Sequence, residues 1–300
     1  MSNTNENQSR TTPPTISVVI PTHNNAALLS ECLQAVQRLD YPDARLSVVV
    51  VDNGSTDRTR EMLARRFASV QVVPLQGNMG FAPACNKGAA AATGEYVAFL
   101  NNDAIPDPQW LNALLAALEA GPEGTVCAAS RIVSRDGSEV EYDGAGSNLF
   151  AAGRPHSTWG WPDTPEPPGP GSPVLFASGG AMLIKRSTFL EVGGFDPEYF
   201  AYFEDVDLGW RLWLLGHAVA YAPDAVVRHI GGATGRRAGA HKRYTLWESN
   251  SLATVIKNYE TGNMERILSA ALLLEYKRAL MSMGDAVNPR EYELTAPKDT

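Results

Sequence analysis

Four short apolar runs punctuate the first hundred residues: ISVVI at 16–20, LSVVVV at 46–51, VQVV at 70–73 and EYVAFL at 95–100. The first two are β-branched and do not alternate with polar residues, the pattern of strands buried on both faces. Helix-spaced segments separate them. Leu28, Leu29, Cys32, Leu33 and Val36 fall on one face of 25–39, and 57–67, 78–92 and 110–120 read the same way. Four strand–helix alternations imply right-handed crossovers. The predicted class is α/β: a Rossmann-like, mostly parallel central sheet flanked by helices. In such sheets the ligand crevice lies outside the carboxyl ends of the strands. Polar clusters fall at those ends here: Thr22-His23-Asn24, Asp52-Asn53 and Asn102-Asp103. The expectation is a nucleotide-sized site.

Beyond residue 120 the rhythm changes. A strand is predicted at 126–133, then a Gly-, Pro-, Trp- and Ser-rich stretch over 136–173. Six prolines between 162 and 173 forbid regular structure there. A loop this long reads as a binding lid, with Trp159 and Trp161 as candidate lid residues. Strands follow at 180–185, 218–221 and 225–228, the last ending at His229. Two amphipathic helices are predicted at 242–259 and 264–283. They suit ordinary packing, a dimer surface, or a bilayer face that presents a lipid-linked substrate.

The stretch FAYFEDVDLGWRLWLLG, residues 200–216, is the densest in chemistry. Glu204, Asp205 and Asp207 precede an apolar run at helical spacing, Val206, Trp210, Trp213 and Leu214. Acids at the positive end of a helix cap it and complement its dipole, or they do proton chemistry. Tyr199, Phe200, Tyr202 and Phe203 suit either a core or a face for a sugar ring. Other positions carry the same duality. Asp52, at a strand end, suits ribose or base hydrogen bonding, or an Asx-turn in DNGST. Asp103 suits a hard divalent cation shared with substrate phosphates, or the cap of the next helix. His229, ahead of Gly231-Gly232, is a structural residue unless Asp103 binds metal. In that case its imidazole completes the site and favours Mn²⁺.

A net charge of −8 argues against bulk binding of nucleic acid or anionic membrane. Cys32, Cys85 and Cys127 are scattered without metal or redox spacing, as buried thiols in a reducing compartment. No apolar run approaches a membrane span, and 1–14 lacks the apolar core of a signal peptide. The expected location is the cytoplasm, or the inner face of the membrane. The spacings of a dinucleotide fingerprint, a phosphate loop and a serine-hydrolase elbow are all missing.

Seven ordered segments resemble the family 2 glycosyltransferases of the GT-A fold, in their rhamnosyltransferase-like branch. They are VVIPTHNN (18–25), VVVVDNGSTD (48–57), NMGFAPACNKG (78–88), FLNNDA (99–104), GGAMLIKR (179–186), GGFDPEYFAYFEDVDLGWR (193–211) and VVRHIGGATG (226–235). The resemblance implies a GT-A domain with C-terminal helices. Residues 1–14 would be a disordered leader, 15–120 the nucleotide-sugar half, 121–240 the acceptor and catalytic half, and 241–300 a helical extension. It implies donor contacts from Pro21, Thr22, Asn24, Asp52, Asn78, Gly80, Asn86, Asn102 and Gly180. Asp103 takes the position of the metal-binding acid of the family's D-x-D segment, with Asn101 and Asn102 in the first two places. His229 would complete a Mn²⁺ or Mg²⁺ site. Asp205 matches the catalytic base, and Glu204 would bind the acceptor or orient the base.

The implied reaction moves one sugar from a nucleoside-diphosphate sugar, dTDP-rhamnose or a UDP-sugar, to a saccharide or lipid-linked saccharide acceptor. One base and one metal on opposite sides of C1 give inversion. A glycosidase would need two carboxylates flanking the bond. A processive synthase would add membrane spans and a Q-x-x-R-W segment, and a pyrophosphorylase a Gly-rich, Lys-containing first loop; all are missing. A non-catalytic sugar-nucleotide module is the remaining alternative, against which the acids at 103 and 205 argue.

Overall fold

A computed structural model describes residues 12–144, 146–147, 153–154, 168–230 and 240–282. The strands are β1 (Ile16–Thr22), β2 (Leu46–Asp52), β3 (Gln71–Pro74), β4 (Tyr96–Leu100), β5 (Ala104–Pro106), β6 (Thr125–Ser134), β7 (Val140–Tyr142), β8 (Gly146–Ser147), β9 (Gly153–Arg154), β10 (Ala181–Lys185) and β11 (Ala218–His229). The helices are α1 (Ala26–Val36), α2 (Thr59–Arg66), α3 (Phe81–Ala91), α4 (Trp110–Ala120), α5 (Arg186–Glu191), α6 (Glu204–Leu214), α7 (Ala240–Asn258) and α8 (Thr261–Ser282).

The main sheet runs β3-β2-β1-β4-β10-β6-β11-β5, with β7 on the side of β6. β1 lies parallel to β2 and β4, β2 to β3, and β6 to β11. β10 runs antiparallel between β4 and β6. This is the expected mostly parallel α/β sheet. All seven residues of β1 are buried, as its unalternating sequence requires. Pro21 is tolerated because β1 pairs with β4 only as far as Val19, so the missing N–H falls past that ladder.

Three details of local structure differ from expectation. β5 was not expected; three residues ending in proline carry no periodic signal. α5 occupies six residues and was also unforeseen. The two strands predicted at 218–228 are one strand with a register shift between Ala222 and Val226, around Pro223. The helix predicted at 110–120 is α4, Trp110–Ala120, which begins too far along for Asp103 to cap it. Trp159, Trp161, Gly231 and Gly232 lie outside the described residues, as do half of the proposed lid and the leader up to residue 11.

Phe99 on β4, Phe189 on α5 and Phe195 pack ring to ring, with centroids 5.0, 5.2 and 5.3 Å apart. This triangle anchors the chain leading to α6 against the strand that ends in Asn101-Asn102-Asp103. All three cysteines are buried free thiols, and burial raises their pKa. No described helix is long and apolar enough to cross a membrane.

α3 reaches the sheet through Gly88. A Cβ there would stand 2.3 Å from Val19 Cγ1 and 2.9 Å from Val51 Cγ2. Overpacking of this kind costs about 1–3 kcal/mol, and alanine returns about 1 kcal/mol of helix propensity. Gly88→Ala is therefore expected to lower the urea midpoint. An unchanged or higher midpoint would show that α3 has room to move outward.

Candidate active site

The carboxyl ends of β1 and β4 and the amino end of α6 open onto one cavity of about 540 Å³. Asp103, Asp205 and His229 all line it, although they lie far apart in sequence. Pro21, Thr22, Asn78, Gly80, Asn102, Gly180 and Glu204 line it as well.

Strand pairing explains the approach of Asp103 and His229. β5 runs antiparallel to β11 with Ala104 opposite His229. The Ile230 N–H donates to the Asp103 carbonyl at 3.0 Å. His229 Nε2 then lies 3.1 Å from Asp103 Oδ1, and its Nδ1 lies 2.7 Å from Glu141 Oε2 on β7. Burial by itself would lower the imidazole pKa. The hydrogen bonds and charges of Asp103 and Glu141 outweigh it and push the group up to about 10. Glu141 was not foreseen. Its role depends on β6 pairing with β7, which nothing in the 136–144 sequence announces.

The three acids of α6 have separate fates. Asp207 is fully buried and structural, bonded to Arg211, Lys257 and Asn258. Asp205 accepts N–H groups from Gly179 at 3.0 Å and Val206 at 2.9 Å, and it faces the cavity. Glu204 is 5% exposed, and its Oε2 is buried without a hydrogen-bond partner. Burial raises the pKa of both carboxyls. For Glu204 the neighbouring Asp205 charge adds to the rise; for Asp205 the backbone N–H groups oppose it.

The segment before α6 is strained. Phe200, Tyr202 and Phe203 hold φ of 59°, 72° and 69°. Left-handed backbone costs an aromatic residue about 1–2 kcal/mol each. Gly80, at φ 97°, is required beside it, since a Cβ would stand 2.5 Å from the Phe200 carbonyl.

Elsewhere in the lining, Asn102 Nδ2 donates to Thr22 Oγ1 at 2.8 Å. Asn53 Nδ2 donates to Asn78 Oδ1 and the Gly80 carbonyl, while its Oδ1 accepts the Met79 N–H. Asn53 thus fixes the 78–80 turn and lines the cavity, a role the DNGST motif left to its neighbour.

Three expected donor contacts lie elsewhere. Asp52 is fully buried, takes the Ser55 N–H in an Asx-turn and pairs with Arg60. Asn24 braces the 55–57 turn through the N–H groups of Thr56 and Asp57. Asn86 clasps Phe195 N–H and carbonyl at 2.9 and 2.6 Å. None of the three lines the cavity described here. The short polar side chains are consumed by local turns and braces, the outcome their chemistry also favours. Trp247 of α7 does line the cavity, though that helix was read as an extension. Its signal was the one tryptophan of an amphipathic helix.

Known proteins resemble the chain in sequence and in shape. Residues 17–193 match the family described as Glycosyl transferase family 2, and residues 170–250 one described as Glycosyltransferase like family 2. The N-acetylglucosaminyl-diphospho-decaprenol L-rhamnosyltransferase of Mycobacterium tuberculosis is 35% identical over 221 residues, covering 65% of this chain and 70% of the relative. The pre-mycofactocin glycosyltransferase of that organism is 33% identical over 71% of this chain and 42% of its own. Among solved structures, the mannosyltransferase PcManGT from Pyrobaculum calidifontis, in complex with GDP-Man and Mn²⁺, superposes with a TM-score of 0.59 at 22% identity. That match covers 94% of this chain and 80% of that one. GalNAc-T7 with UDP, GalNAc and Mn²⁺ gives 0.63 at 19%, over 81% of this chain and 47% of that one. At such identities the structures speak for the GT-A fold. With the family match over most of the ordered sheet, the chain belongs to the family 2 glycosyltransferases, in their rhamnosyltransferase-like branch.

Proposed function

We propose that the chain transfers a single sugar, with inversion at C1, from a nucleoside-diphosphate sugar to an acceptor hydroxyl. The observation that carries this is the meeting of Asp103, Asp205 and His229 in one cavity. Asp205 accepts the acceptor's proton as the new C1–O bond forms and the C1–O bond to the diphosphate breaks. Glu204, with a bare oxygen buried at the cavity wall, receives a substrate hydroxyl and orients the base. Thr22, Asn53 and Asn78 line the wall that would take the nucleoside, Thr22 held by the Asn102 amide and Asn78 by that of Asn53.

Asp103 and His229 would hold Mn²⁺ or Mg²⁺. No described cluster offers three His, Cys, Asp or Glu ligands. Two protein donors suit an ion shared with a substrate diphosphate, and an imidazole among them favours Mn²⁺. When bound, the ion neutralises charge on the leaving diphosphate. Glu141 orients the imidazole from its far nitrogen. The identity to an L-rhamnosyltransferase supports dTDP-rhamnose as donor, with UDP-sugars next. That relative's name supports a lipid-linked saccharide acceptor met at the inner membrane face.

Three measurements test the reading. Asp205→Asn is expected to lose roughly 10²–10⁴-fold in turnover while binding nucleoside diphosphate as before; parental turnover would remove Asp205 from the chemistry. Glu141→Gln is expected to weaken Mn²⁺ binding, followed by electron paramagnetic resonance of the free ion, about 10–100-fold. Undiminished binding would leave Glu141 out of the site. The base must be deprotonated, and burial disfavours the charged form of Asp205, as burial and the charges of Asp205 and Asp207 do for Glu204. Turnover should therefore fall as pH drops through a midpoint above the ordinary carboxylate range. A midpoint at or below that range would contradict the assignment.

A further inference from the structure

The backbone from Tyr199 to Phe203 carries the base, and its carbonyls turn inward because of the left-handed residues at 200, 202 and 203. Phe200 O accepts from Phe81 N–H at 2.6 Å and Ala82 N–H at 3.2 Å, at the start of α3. The carbonyls of Tyr199, Ala201 and Tyr202 converge on one atom, Nδ2 of Asn250, at 2.9, 2.8 and 2.8 Å. Asn250 lies on α7 and is 7% exposed. One buried amide with two hydrogens thus serves three carbonyls of the strained loop.

The rest of α7 supports the same grip. Trp247, one turn earlier, packs edge-on to Phe203 at 5.1 Å and tilts against Tyr202 at 5.8 Å. Thr254 Oγ1 meets Tyr199 OH at 2.9 Å. Helix spacing puts residues 247, 250 and 254 on one face. An isolated stretch of three left-handed aromatic residues relaxes toward ordinary backbone unless its surroundings over-determine it.

We infer that Asn250 is a positioning residue for the transfer reaction: its amide holds the 199–203 loop in its left-handed form and so sets Asp205 against the substrate. Asp205 lies two residues beyond Phe203, so any relaxation of the loop swings the base. The wall of the cavity contributed by α7 is then part of the catalytic apparatus, held at a distance from the reacting atoms. The inference rests on Asp205 being the base.

The test compares Asn250→Ala, Asn250→Ser and Asn258→Ala in the full chain. Asn258 bonds Asp207 from the same helix without touching the loop carbonyls, which makes it the control for general loosening of α7. Amide hydrogen exchange over 199–206 needs no substrate. It is expected to quicken at least tenfold in Asn250→Ala, less in Asn250→Ser, which keeps one donor, and to stay at the parental rate in Asn258→Ala. Nucleoside diphosphate release is followed with whichever of dTDP-rhamnose, UDP-N-acetylglucosamine and GDP-mannose the parent turns over fastest. For Asn250→Ala, kcat is expected to fall at least tenfold with the donor KM unchanged, a split that a merely loosened fold would not give. Loop exchange no faster than in Asn258→Ala, or an unchanged kcat, overturns the inference. Asp205→Asn in the same assay separates the two ideas. Full turnover there removes the base assignment. Loss there with parental kcat in Asn250→Ala removes only the role of Asn250. If Asn250→Ala folds poorly, Asn250→Ser alone decides by the same criteria.

Discussion

Three residue pairs hold the cavity in its shape: Ala104 with His229, Ile105 with Arg228 and Pro106 with Val227. This short antiparallel ladder turns the chain back immediately after β4. It brings an imidazole from the second half of the domain against a carboxylate from the first. The Asp107–Arg228 ion pair closes its far end. Without it, Asp103 would be one more acid at a strand end, and His229 one more histidine on a strand. The chemistry of the cavity comes from sheet topology before it comes from any single residue.

The first turn of α6 shows environment deciding function among like groups. Glu204, Asp205 and Asp207 stand within four residues, yet among the described residues cations reach only the last. Arg211 and Lys257 neutralise Asp207, and Asn258 adds a hydrogen bond. Burial disfavours the ionised form of both Glu204 and Asp205, and for Glu204 the Asp205 charge adds to it. A 100° step per residue is enough to send one carboxylate to the α7 interface and two to the cavity lining.

Much of this was legible before any coordinates. The unalternating runs at 16–20, 46–51 and 95–100 announced buried parallel strands, and the polar residues at their ends announced the crevice. The convergence of residues 103, 205 and 229 was expected from the ordered segments. What could not be read was anything that depends on pairing between distant pieces. Glu141 became visible only through β7, and β5 was too short for a pattern. Asp52, Asn24 and Asn86 show the opposite limit. Each sits in a segment that promises a ligand contact, and each is held instead by a turn or a brace. Asparagine and aspartate serve backbone and ligand with the same atoms, so sequence alone does not separate the two uses. Asn250 and Trp247 were hidden for another reason. Helix periodicity identified α7 but carried no information about the surface it covers.

The close approach of Gly80 to Phe200 has a consequence for how such enzymes can be recombined. The 78–82 turn and the 199–203 loop, both in the cavity wall, meet there backbone to backbone, through the Phe81 and Ala82 N–H groups on the Phe200 carbonyl. That seam tolerates no side chain on one side and no ordinary backbone on the other. A chimera joining the donor half of one relative to the acceptor half of another must inherit 78–82 and 199–203 from the same parent. Otherwise the graft fails at a backbone junction in the cavity wall itself.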